Sequence, residues 1–182
     1  MDHDIFVYII ITMQLSRLCC CFAFSNVLYH PNNSVKQNVD VINYQDTVPF
    51  VMPLTGGRVI KVYDGDTITI ASKLPIPDSP LYRFSVRLNG IDCAEIKGRS
   101  VEEIACANEA RVAMSALILQ KDVTLKNVAN EKYGRVLADV YLGDLHLNQW
   151  LIDQRFAVAY DGGTKKVPES WARYRLTGEI HF

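Results

Sequence analysis

The stretch RVIKVYDGDTITIAS, residues 58–72, decides the fold. RVIKVY (58–63) and DTITIAS (66–72) are β-branched runs of strand length, and Asp64-Gly65 between them is the strongest short-range signal for a β-hairpin. The same residues carry a second meaning. Asp64 and Asp66 bracket Gly65, and two carboxylates so placed make half of a site for a hard, oxygen-seeking cation. The turn reading is complete by itself; the cation reading needs partners from elsewhere in the chain.

Outward from the hairpin, the Pro-rich loop KLPIPDSP (73–80) leads into YRFSVRLNGID (82–92). Tyr82, Phe84, Val86 and Leu88 alternate with Arg83, Ser85, Arg87 and Asn89, the pattern of a half-buried strand with arginines on its wet face. Ser100-Val101-Glu102-Glu103 reads as a capping box and opens a helix to about Gln120. Cys106, Ala110, Ala113 and Leu117 share one stripe of that helix, which makes Cys106 a core thiol. Strands follow at 122–129 and 135–142, then a helix over 145–156 with Leu147, Trp150 and Leu151 as its apolar face. Pro168 stands where a third helix, ESWARYR, would begin. Three strands, a helix, two strands and a helix predict an α+β, mainly β fold: an OB-type five-stranded Greek-key barrel with about three flanking helices.

The chain has 182 residues, 49% of them hydrophobic and 21% charged, enough for one domain with a proper core and an appendage. Its 19 Lys and Arg face 20 Asp and Glu, which excludes a generally basic polyanion-binding protein; any positive charge must be local. Residues 1–25 differ in character. IFVYIIITM (5–13) and LCCCFAF (18–24) are apolar, and Ala23-Phe24-Ser25 offers a cleavage-like end. A cleaved secretory signal, an uncleaved anchor over 5–24, and initiation at Met13 with Arg17 as the leading charge all fit, so the expected location is secreted or membrane-associated. Residues 26–57 read as a polar linker with a short strand near Phe50-Val51, and 58–182 as the folded domain. Cys19, Cys20 and Cys21 lie in the apolar run without zinc-ligand spacing; Cys93 and Cys106 are left in the domain, where export would permit a disulfide. Asn32 heads a glycosylation sequon.

Acidic and basic groups then recur at strand ends. YRFSVRLNGID delivers Asp92 where strand gives way to loop, with Glu95 beyond it, and the next hairpin is Glu131-Lys132-Tyr133-Gly134-Arg135. Taken singly, these are turn caps and solvated charges. Taken in order, DGDT, then Arg87 with Asp92 and Glu95, then KYGR, then a Tyr after the next helix, they resemble the staphylococcal-nuclease-like (thermonuclease) family from about Arg58 to Tyr160. That resemblance implies the OB-type barrel, a calcium-dependent nuclease acting on DNA or RNA with little sequence preference, and products with 3′-phosphates. It implies that Asp66 and Asp92 ligate one Ca²⁺, that Cys93 adds its backbone carbonyl where the family commonly has Thr, and that Asp64 stands in the outer shell. Glu95 matches the general base and Arg87 and Arg135 the phosphate-binding arginines, while Lys132, Tyr133 and Tyr160 fall near positions lining the nucleotide pocket. The family's long basic loop after the base is here only IKGR (96–99).

Phosphodiester cleavage wants these residue types. A cation held by carboxylates offsets charge on the phosphoryl oxygens, a carboxylate within hydrogen-bond reach takes the proton of the attacking water, and guanidiniums grip phosphate bidentately. Two features strain the expectation. Arg87 and Asp92 are an odd number of residues apart, so strict alternation puts them on opposite faces unless the chain bends, with Gly90 the obvious place. Residues 58–182 also hold 17 Lys and Arg against 16 Asp and Glu, hardly a cationic surface. The chain is expected to be monomeric, and a non-catalytic OB-type module that binds nucleic acid or protein is the reading from another class.

Overall fold

The computed structural model describes residues 41–182. The targeting segment read at 1–25, the Asn32 sequon, Cys19–Cys21 and residues 26–40 of the linker lie outside the described residues. Residues 41–47 hold a single 3₁₀ turn, Tyr44–Asp46, closed by Asn43, whose backbone N–H donates to Asp46 Oδ2 at 2.8 Å. Val48–Phe182 forms its own compact unit. Among the described residues no helix is long and apolar enough to cross a membrane.

That unit runs β1 (Gly56–Val62), β2 (Thr67–Ser72), β3 (Tyr82–Leu88), β4 (Ile91–Cys93), α1 (Val101–Ile118), β5 (Asp122–Asn130), β6 (Val136–Leu142), β7 (Leu145–His146), α2 (Leu147–Asp153), β8 (Ala157–Ala159) and α3 (Trp171–Thr177). Neighbouring strands follow the order β3-β2-β1-β5-β6, and β3 pairs with β6 in parallel, so five strands close on themselves. With only the barrel strands numbered, the circuit is 1-2-3-5-4-1, the OB arrangement, and closure leaves no long edge to aggregate. β7 adds two residues beside β6, and β4 with β8 makes a separate two-stranded sheet. Inward residues of every barrel strand, Val59, Ile68, Ile70, Val86, Leu125 and Val140 among them, pack with Met114 and Ile118 of α1 and Leu147 and Leu151 of α2 in one apolar core. Trp171 and Tyr174 of α3 close a smaller cluster over Cys106, Ala107 and Val158.

Several local expectations shift. Phe50 and Val51 form no strand and are exposed, while Leu54 is buried and β1 starts at Gly56. The buried stripe of α1 starts at Cys106 and Ala110 but continues through Met114 and Ile118, leaving Ala113 and Leu117 half-buried. Ser100 Oγ does accept from the Glu103 N–H at 3.1 Å, but the Glu103 carboxylate returns to the N–H of Arg99 at 2.8 Å. Pro168 lies ahead of α3 rather than in it. The helix begins at Trp171 because Ser170 caps it, accepting from the Arg173 N–H at 3.2 Å. Strands β4, β7 and β8 are too short to leave a periodic signal, yet β4 and β8 prove decisive for the site.

Candidate active site

The acidic half of the site is set by strand register. Thr67 pairs with Arg87 across β2 and β3, which brings Asp66, one residue earlier, within reach of the guanidinium. Arg87 Nη1 donates to Asp66 Oδ1 at 2.6 Å, and the Thr67 hydroxyl donates to the same oxygen at 3.0 Å. Beyond Leu88 the chain reverses through Asn89 and Gly90, the latter at φ +75°, a conformation glycine adopts without steric cost. The reversal resolves the odd spacing. Arg87 Nη2 reaches Asp92 Oδ1 at 3.0 Å, so one guanidinium bridges both carboxylates. Buried Asn148 of α2 braces the reversal, donating to the Asn89 carbonyl at 2.7 Å and accepting from the Val140 N–H at 2.9 Å.

Asp64 and Gly65 have a role the hairpin signal did not disclose. Gly65 is not in a left-handed conformation, so the connection from Tyr63 to Asp66 is not the tight Asp-Gly turn that residues 62–70 suggest. Its missing side chain matters for space: a Cβ there would lie 2.7 Å from Cys93 Sγ and 3.0 Å from the Ala110 Cβ. The Cys93 side chain thus packs under the loop, while its N–H donates to Asp66 Oδ2 at 3.2 Å. Burial and the three neighbouring aspartates push the Cys93 thiol well above its ordinary range, so it is a neutral packing group. Cys93 and Cys106 are both free thiols. Asp64 accepts from the Asp66 N–H at 3.3 Å; burial first, then the charge of Asp66, raise its carboxyl to about 7.

β4 and β8 assemble the next piece. Their register sets Asp92 opposite Val158, so the loop after β8 folds over the carboxylates. Lys165 in that loop, which sequence reading left unassigned, donates to Glu95 Oε1 at 2.6 Å and stands 3.0 Å from Asp92 Oδ2, an ion-pair contact outside hydrogen-bond geometry. Nothing local in GGTKK distinguishes Lys165 from Lys166; only the β4–β8 pairing selects it. Glu95 itself is half exposed on the loop toward α1.

The basic half is looser. Arg135 is adjacent to Val136, which pairs with Val86, and its Nε donates to Glu131 Oε2 at 3.1 Å rather than joining the carboxylates. Tyr133 is exposed, with Lys132 Nζ 5.0 Å and Arg135 Cζ 5.9 Å from its ring centre. Arg87, Asn130, Lys132 and Tyr160 line a cavity of about 470 Å³ from which Tyr133 is absent. The Tyr160 hydroxyl donates to the Gly163 carbonyl at 2.9 Å, and its N–H to the Gly90 carbonyl at 2.9 Å. A second cavity of about 460 Å³ is lined by Glu95, Lys97, Arg99, Lys165 and Trp171. Asp64, Asp66, Arg87, Asp92, Cys93 and Glu95 are therefore brought together, while Lys132 and Tyr160 border the first cavity and Tyr133 and Arg135 do not line it.

Charge balance says what the centre can hold. Asp66, Asp92 and Glu95 contact two cations, Arg87 and Lys165, and Asp64 stands beside Asp66. Burial pulls the Arg87 guanidinium down, but Asp66 and Asp92 overcome it and hold it above its usual value. Burial likewise opposes the charge on Lys165, and Glu95 and Asp92 more than restore it. Asp92 stays raised: burial pushes it up, Lys165 only partly offsets this, and Asp66 adds to the rise. Four carboxyls against two cations leave two negative charges when all ionise. Asp92 Oδ2 is buried without a hydrogen-bond partner, and the donors are all oxygen, so the group suits a hard divalent cation. Among the described residues no three His, Cys, Asp or Glu side chains converge at metal-ligand spacing; Arg87 and Lys165 take the inner oxygens instead.

Comparison with known proteins agrees with this geometry. The model of the staphylococcal nuclease homologue family matches residues 85–175, which is 91 of 182 residues. Asp64 and Asp66 precede that stretch, and the β2–β3 pairing carries them to it. An "uncharacterized endonuclease" of Haemophilus influenzae is 32% identical over 103 residues, 57% of this chain and 51% of that protein. An "uncharacterized endonuclease" of Escherichia coli is 30% identical over 109 residues, 58% of this chain and 61% of its own length. The chain thus spans between half and two thirds of the length of these curated relatives.

Proposed function

The chain belongs to the staphylococcal nuclease homologue family, and from that premise we propose that it is a calcium-dependent nuclease hydrolysing phosphodiester bonds in DNA or RNA. One observation carries the reading. The buried Asp92 Oδ2 has no hydrogen-bond partner in a cluster of carboxyls that meets only two cations, and with all four carboxyls ionised the centre lacks the charge that one divalent ion supplies. Asp66, Asp92 and the Cys93 carbonyl would hold Ca²⁺, with Asp64 beyond them. Bound there, the ion offsets the charge that builds on the phosphoryl oxygens.

The chain's own residues supply the rest. Glu95, half exposed and lining the second cavity, takes the proton of the attacking water, whose oxygen forms the new bond to phosphorus as an ester oxygen leaves. Arg87 lines the first cavity and keeps donors free for phosphate beyond those it gives Asp66 and Asp92. Arg135, released from Glu131, reaches the same phosphate. Lys132 and Tyr160 border the space a nucleotide would occupy. Backbone contacts of this kind read no base, which accounts for low sequence preference and for salt-sensitive affinity.

The test is hydrolysis of single-stranded DNA and RNA by the full chain with Ca²⁺, with EGTA, and by Glu95→Gln. Cleavage that requires Ca²⁺ and drops at least about a hundredfold in the variant is the expected result. A folded protein that binds single strands without cutting them in any divalent metal would instead be a binding module.

A further inference from the structure

Lys165 belongs to no part of the reaction assigned so far, yet its ammonium touches both the base and a metal carboxylate. We propose that Lys165 is the resident counter-cation of the site, which an incoming divalent ion must displace from Asp92. The proposal rests on the cation reading above and names the residue that regulates it.

The two cations of the site are built differently. Arg87 sits within β3, bridges Asp66 and Asp92 with two directed hydrogen bonds, and is mostly buried. A planar guanidinium fixed at both ends is not readily exchanged. Lys165 is half exposed and reaches in from the loop 161–166, where Gly162 lies at φ +85°. Its approach to Asp92 Oδ2 is 3.0 Å without hydrogen-bond geometry, whereas its bond to Glu95 Oε1 is 2.6 Å and directed. A compact ammonium on a flexible stem needs no fixed direction and gives way to a stronger charge. The ion therefore takes over Asp92 Oδ2, the oxygen that the protein leaves without a hydrogen bond, and the lysine retains Glu95. The exchange is ionic, with no covalent bond made or broken.

If Lys165 competes for Asp92, removing its charge must tighten metal binding. Ca²⁺ affinity by calorimetry, and Tb³⁺ affinity by luminescence, are measured on the full chain without nucleic acid for wild type, Lys165→Met and Lys165→Arg. Circular dichroism confirms that each is folded. Lys165→Met is expected to bind both ions at least about tenfold more tightly, because a unit charge within ion-pair distance of the ligand is gone. Lys165→Arg, which keeps the charge, is expected to bind as wild type does. Equal or weaker binding by Lys165→Met, while wild type binds, overturns the proposal and leaves the cation reading standing. Tightening in Lys165→Arg as well overturns the role of charge. Failure of all three to bind either ion at millimolar concentration overturns the cation reading, and this proposal with it.

Discussion

The two halves of the site are built on opposite principles. Asp66, Arg87 and Asp92 are buried, bridged by one guanidinium, and positioned by pairings far apart in sequence: β2 on β3 and β4 on β8. Lys132, Tyr133 and Arg135 occupy one short hairpin, with Arg135 paired to Glu131 four residues away and Tyr133 in solvent. The acidic half is part of the fold's framework, so its charges are integral to stability. The basic half is appended to that framework, with an exposed Tyr133 and an arginine held only by a local ion pair. Binding a small hard ion demands fixed oxygens, while gripping a flexible polymer tolerates a mobile loop.

The largest effect expected is for Arg87→Met in EDTA. Losing the bridge leaves Asp66 and Asp92 buried without it and costs about 3–5 kcal/mol by urea unfolding. Next is Gly65→Ala, whose Cβ would meet Cys93 Sγ at 2.7 Å; about 1–3 kcal/mol is expected. Adding Cys93→Ala should recover part of it, and no recovery would mean that packing does not require the glycine.

Titration gives the third comparison. Asp64 holds its proton to about pH 7 in the folded chain, while the unfolded chain releases it near the ordinary value of about 3.9. Between these values the folded state binds the extra proton, so metal-free stability falls as pH rises from about 4 to about 7 and then levels. Asp64→Asn removes that fall. In EDTA at pH 8 it should exceed wild type by about 1 kcal/mol or more, with little difference near pH 4. Equal pH profiles would sink the raised titration of the buried Asp64 carboxyl. The smallest effect is for Arg135→Met, below about 1 kcal/mol, because its ion pair with Glu131 is local and partly solvated. An equal cost for Arg135→Met and Arg87→Met would break the contrast between the halves.

The strand and helix order was legible because each long element carries its own period: alternation in 82–88, a capped apolar stripe from Ser100, β-branched runs at either side of Asp64-Gly65. Asp66, Arg87, Asp92 and Glu95 were legible as a set because their order along the chain resembles one family. Lys165 was not, since a lysine in a glycine-rich loop has no local signature of what it will touch. Asn148 was hidden for the same reason: its partners are the backbone of Asn89 and Val140, and backbone partners leave no mark on side-chain pattern.

Gly65 separates the two kinds of information best. A sequence alone says that Asp-Gly favours a turn, since conformational preference is a property of neighbours along the chain. That this glycine instead makes room for Cys93 and Ala110 depends on β4 and α1 arriving above it. By itself, then, the sequence determined which long segments are strands or helices and which carboxylates and arginines stand at their ends, because periodicity and spacing are local. Only the tertiary structure decided that one guanidinium bridges Asp66 and Asp92, and that a lysine seventy residues beyond Glu95 rests on both acids. Those contacts depend on where separate strands come to lie, and distances in space between residues far apart in the chain are set by packing.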